Sequence, residues 1–206
     1  MGRPTLILAS TSPRRRSMLD DAGIAYRAAE AVIDDGGLEP GGVDPAGWVA
    51  ALAYLKARSV ASDHGFGEDV VVLGADTVCS DGGRLLGKPA DEDEALAMLL
   101  SFVGRSHRVL TGVALVGNDG RRELFSDAAT VRWPDLSESE LRGYIASGRW
   151  RGKAGGYSLA ERHADGWDIA VEGDPDTVMG LPMRRLPARL RVWGIEAAAA
   201  GTEPAV

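Results

Sequence analysis

Residues 70–75, VVVLGA, form a nearly continuous apolar run of strand length that leads directly into Asp76. A strand with one wet face alternates in polarity. This one does not, and so it needs cover on both faces, as a central strand flanked by helices has. Strand and helix signals alternate along the rest of the chain, which marks an α/β architecture. Residues 5–9 (TLILA) read as a strand, and Ser12 followed by Pro13 reads as an N-cap with proline in the first turn of a helix that ends near Gly23. Another strand is expected around 25–33, before the loop 34–45 (DDGGLEPGGVDP). Asp44 and Pro45 open a helix whose apolar face takes Trp48, Val49, Leu52, Leu55 and Val60. Beyond Asp76, Ser80-Asp81-Gly82-Gly83 is a turn signal, and Asp91 caps a helix that runs to about Gly104. Segments 107–116 and 123–131 form a hairpin around GNDG, and Ser137 with Glu140 fits a capping box for a helix stopping at Gly148. A basic loop over 149–157, a short strand over 169–171 and a last helix over 182–193, interrupted or offset at Pro187, complete the pattern. One domain is expected over 1–196, with a frayed tail over 197–206.

The chain has 206 residues, with 23 Lys and Arg against 30 Asp and Glu, a formal charge of −7. Non-specific nucleic-acid binding depends on cations that neutralise phosphates, so an acidic chain fits that role poorly, and any phosphate site has to be local. The single cysteine, Cys79, has no internal disulfide partner. No apolar run approaches the roughly 18 residues of a membrane span, and the start MGRPTLILAS lacks a signal-peptide pattern. A cytoplasmic protein without a membrane or nucleic-acid partner is expected.

Three segments could carry chemistry. Ser10-Thr11-Ser12-Pro13-Arg14-Arg15-Arg16 lies at a strand-to-helix junction, where free N–H groups and the helix dipole attract phosphate. Cations in a first turn oppose that dipole by about 0.3–1 kcal/mol each unless an anion is near. The same residues also suit an ordinary N-cap whose arginines reach solvent or pair with Asp20 and Asp21. Asp76, in GADT, follows a buried strand and could hold Mg²⁺ or activate water, although a lone Asp more often bonds loop backbone. Lys88 could reach a phosphate. RGKAGGY, residues 151–157, invites a P-loop reading, but Gly148 to Gly152 is one residue short and Ala154 stands where Ser or Thr would ligate Mg²⁺, so a P-loop kinase is disfavoured. The acidic run over 172–176 could position metal or cap a short helix. His64, His107 and His163 lack metal-ligand spacing, Cys79 suits a small core residue, and Trp150 and Trp167 suit packing.

Taken in order, ILASTSPRRRSML, LGADTV, LGKP, SHRVLTGVAL, GKAGGY and EGDPDTVMGLPM resemble the Maf family of nucleoside triphosphate pyrophosphatases, from about Leu6 to about Leu190. The resemblance implies a mixed α/β fold with a long central sheet, two lobes and a cleft between them, and a homodimer. It implies cleavage of nucleoside triphosphates, standard pyrimidine or modified, to monophosphate and pyrophosphate with Mg²⁺ or Mn²⁺. Carried over by position, Ser10, Arg14 and Arg15 match the phosphate-binding segment, Asp76 the catalytic acid, Lys88 and Lys153 basic cleft residues, and Thr77 a position linked to base preference. Asp35, a second candidate metal ligand beside Asp76, stands where Glu is usual. Ala160 stands where Gln is usual, with Glu161 beside it. These two departures motivate the competing expectation, a non-catalytic nucleotide-binding regulator of cell division.

Overall fold

The computed structural model describes residues 4–33, 38–62 and 69–198. Its frame is a seven-stranded mixed sheet in the order β2-β1-β3-β5-β6-β7, with β4 attached to β3. The strands are β1 (Thr5–Ala9), β2 (Arg27–Ala29), β3 (Val70–Asp81), β4 (Arg84–Leu86), β5 (Ser106–Gly117), β6 (Arg122–Arg132) and β7 (Ala170–Glu172). The helices are α1 (Pro13–Asp21), α2 (Pro45–Ala61), α3 (Glu92–Phe102), α4 (Glu138–Ala146), α5 (Leu159–Ala164), α6 (Pro175–Met179) and α7 (Leu186–Val192). β1 runs parallel to β2 and β3, whereas β3, β5, β6 and β7 pair antiparallel.

The expected mixed α/β class, with a central sheet flanked by helices, is the observed one. Some boundaries differ. β3 does not stop before Asp76 but continues to Asp81, because β5 pairs with it through Ser80. The strand expected over 25–33 forms only over three residues, since β1 offers β2 partners only from Ile7 to Ala9. The last helix starts at Leu186, with Pro187 accommodated in its first turn. No helix of the described residues is long and apolar enough to cross a membrane. Of the expected tail, 199–206 lie outside the described residues, while Ala198 donates its N–H to the Gly23 carbonyl at 2.8 Å.

Alternate residues of β3 face opposite ways, and each row buries against its own layer. Val71, Leu73 and Ala75 pack with α1 and α7, through Leu19, Leu186, Leu190 and Trp193. Val70 and Val72 pack with α2, through Ala53, Ala57 and Val60. The apolar face expected on α2 is therefore shifted: Leu55 is exposed, and small residues face the sheet instead. They must be small because the helix backbone nearly touches the strands. A Cβ on Gly74 would lie 2.2 Å from the Ala53 carbonyl oxygen, and one on Gly112 2.2 Å from that of Val49. Farther along β3, a second core gathers Cys79, Phe102, Val109, Trp133, Tyr144 and Tyr157 beneath α3, α4 and α5.

Candidate active site

The parallel pairing of β1 with β3 ends at Leu8 and Leu73, and the antiparallel pairing of β4 begins at Cys79. Between them that edge of β3 has no strand neighbour among the described residues. The sheet is notched there, and a cleft of about 550 Å³ occupies the notch. Because the edge is open, neighbours on β3 that face opposite sides both reach the cleft: Asp76, which continues the α2-facing row, and Thr77, which continues the other. The sequence placed Asp76 after a buried strand. In the structure it is within one, at the point where the adjacent strand has ended.

Ser10, Arg14, Arg15, Asp76, Thr77, Lys88 and Lys153 all line this one cleft. Asp35 lies outside the described residues. The wall on the β1 side is the junction that leads into α1. The Ser12 side chain caps nothing, and the first turn holds no acidic residue. Ser10 is the organising hydroxyl instead, accepting from the Ser12 N–H at 3.2 Å and from Arg15 Nη1 at 3.3 Å. Arg15 also donates from Nε to the Gly180 carbonyl at 2.9 Å and from Nη2 to Thr77 Oγ1 at 3.1 Å. Withdrawal from water lowers its pKa to about 10, Asp76 opposing that shift and Arg14 adding to it. Arg15 therefore holds protein groups as well as facing the cleft. Arg14 and Lys88 make no side-chain hydrogen bond or ion pair among the described residues, and they are the cations most available to an anionic ligand. Lys153 is engaged: Glu161 grips its Nζ with both oxygens, at 2.6 and 2.5 Å. Ala160 is exposed and does not line the cleft; its neighbour Glu161 does.

One participant escaped the sequence. Lys56 on α2 pairs with Asp76 Oδ1, and both side chains are largely buried, 16% and 12% exposed. A signal was present. Val49, Leu52, Ala53, Ala57 and Val60 form the buried stripe of α2, and Lys56, seven residues after Val49, falls within it. A lysine on an apolar stripe needs a buried partner, and Asp76 is one.

Other candidates are structural. Burial pushes the Cys79 thiol up to about 12, so it is no nucleophile. His107, in contact with Phe102 and bonded to Tyr157 Oη at 2.9 Å, is held down to about 4 by burial. Trp150 is buried and donates to the Ile145 carbonyl. Asp174 caps α6, accepting from the Asp176 N–H at 3.1 Å, as the helix-cap alternative for the acidic run requires. His64 lies outside the described residues.

The family model described as Maf-like protein matches residues 5–193. The dTTP/UTP pyrophosphatase of Pelotomaculum thermopropionicum is 41% identical over 92% of this chain and 96% of its own. That of Salinibacter ruber is 43% identical over 90% of this chain and 89% of its own. Among solved structures, the Ham1 protein of Staphylococcus aureus superposes on 64% of this chain and 72% of its own with a TM-score of 0.43 at 16% identity, too loosely to bear on function.

Proposed function

The chain belongs to the Maf-like protein family and is a nucleoside triphosphate diphosphatase; from that premise we propose that its cleft splits the α–β phosphoanhydride of a pyrimidine nucleoside triphosphate, dTTP or UTP, into monophosphate and pyrophosphate. The observation that carries the reading is the placement of Asp76 in the sheet notch, backed by Lys56 and ringed by Arg14, Arg15, Lys88 and Lys153. A reaction that attacks phosphorus with water needs a base for the water proton and cations for the developing charge on oxygen. Lys56 holds Asp76 Oδ1 and orients the carboxylate, which leaves Oδ2 to accept that proton. The water oxygen bonds to the α-phosphorus, the bond to the bridging oxygen breaks, and pyrophosphate leaves with that oxygen. Arg14 and Lys88 neutralise the phosphates, and Ser10 and the α1 junction orient them.

Among the described residues no three His, Cys, Asp or Glu side chains gather into a metal site. Mg²⁺ is commonly held by one or two carboxylates together with substrate phosphates, and Asp76 is a carboxylate that lines the cleft. The ion, Mg²⁺ or Mn²⁺, would supply charge neutralisation at the triphosphate.

The test is a panel of nucleoside triphosphates with Mg²⁺ or Mn²⁺, with products separated. Pyrophosphate and monophosphate from dTTP and UTP are expected. Orthophosphate and a diphosphate would refute the reaction, and calorimetric binding without turnover would favour a non-catalytic nucleotide binder.

A further inference from the structure

Thr111 does not line the cleft, is fully buried on β5, and stands directly across from Thr77 in the sheet register. On its other side it faces Asp127 of β6. Thr77, Thr111 and Asp127 thus form a polar row across three strands, between the core under α1 and α7 and the core under α3 to α5.

The hydrogen bonds in this row have a fixed direction. Thr111 Oγ1 lies 2.7 Å from the Thr177 carbonyl, which can only accept, so Thr111 spends its single proton there. In the 2.8 Å contact between Thr77 and Thr111, Thr77 is therefore the donor. Thr77 in turn accepts from Arg15 Nη2. The chain runs one way, from Arg15 through Thr77 and Thr111 to the backbone of α6. Thr177, fully buried, donates its own hydroxyl to Asp127 Oδ2 at 2.6 Å, and Arg185 pairs with Asp127 Oδ1 at 3.0 Å. Arg15 also reaches Gly180, three residues beyond Thr177, so the segment that carries Val178, Met179 and Gly180 along the cleft is held at Thr177 and at Gly180.

We propose that Thr111 is a positioning residue for the reaction: it sets the proton direction of Thr77 and, through Thr77 and α6, the placement of the Arg15 guanidinium at the cleft. The proposal rests on the reading of the cleft as a triphosphate site. Fixed, fully satisfied hydroxyl networks hold their members in one arrangement, and a displacement of about 1 Å in a phosphate-binding group can cost on the order of a hundredfold in rate.

The test compares wild type, Thr111→Ser and Thr111→Val for pyrophosphate release from dTTP, at a temperature where circular dichroism shows each fully folded. Val keeps the shape and removes both hydrogen bonds; Ser keeps the hydroxyl. Thr111→Val is expected to lose about ten- to a hundredfold in kcat/KM, and Thr111→Ser is expected to stay within about threefold of wild type, since it retains both hydrogen bonds. In a double-mutant cycle, adding Thr77→Val to Thr111→Val is expected to cost little more, because Thr111 acts through Thr77. Should Thr111→Val not fold, Thr111→Cys, whose thiol is a weak donor and acceptor, takes its place with the same expected order. Full activity in folded Thr111→Val or Thr111→Cys, loss in Thr111→Ser equal to theirs, or losses that add with Thr77→Val overturn the proposal. A wild type that binds dTTP but does not turn it over overturns the functional reading and the proposal with it, which is a different result from an active wild type with an equally active valine variant.

Discussion

Asp76 and Thr77 are neighbours on one strand, yet they are built into opposite environments. Asp76 faces α2, where its one described partner is a cation, Lys56. Thr77 faces α6, where it accepts from Arg15 and donates into a line of hydroxyls that ends on backbone. The ion pair leaves one carboxylate oxygen for chemistry. The hydroxyl chain has every proton committed and serves geometry. A single notch in the sheet makes both accessible to one ligand, so the reacting group and the placing group come from one short piece of backbone.

Several substitutions break that comparison by degrees. Asp76→Asn keeps the shape but removes the base, and kcat is expected to fall about a thousandfold, as general-base removal does, while calorimetry still detects dTTP binding. Lys56→Met keeps the base but leaves it buried without its cation. Kcat is expected to fall about a hundredfold and chemical denaturation to show a loss of about 3 kcal/mol, in line with broken buried pairs. Arg14→Ala touches neither side of β3 and removes only charge from the phosphate wall. Its effect should be a rise in KM of about tenfold with kcat within about twofold, the pattern of lost uniform binding.

The smallest effect concerns pH and lies away from the notch. His107 is neutral in the fold, with a pKa lowered to about 4 by burial, against 6.5 for a free side chain. Between those values the unfolded chain binds a proton that the folded one does not, so stability falls as pH falls through this window. Denaturation midpoints should show a loss of about 1 kcal/mol between pH 6.5 and 5.5, and none of that slope in His107→Gln.

Much of this site could be read from the sequence, but its arrangement could not. The β1–α1 junction, the apolar run before Asp76 and the basic residues at 88 and 153 are local signals, and the structure brings them together. Pairing register is non-local, so nothing in VVVLGADTV shows that one neighbouring strand ends where the next has yet to begin. Lys56 is hidden in the sequence because the large apolar residues of α2 point to a stripe through Leu55, whereas Gly74 and Gly112 admit the helix so closely that alanines face the sheet. α5 and α6, of six and five residues, are too short to show periodicity and are held by tertiary contacts and caps. Thr111 reads as one β-branched residue in an apolar strand; only the register beside Thr77 gives it a role.

The central claim is that water, deprotonated at the notch, attacks the α-phosphorus. Hydrolysis of dTTP in heavy-oxygen water, followed by mass analysis of both products, tests it most directly. The label should enter thymidine monophosphate and be absent from pyrophosphate, with incorporation in Asp76→Asn slowed in step with turnover. Label in the pyrophosphate, or in released orthophosphate, would contradict it.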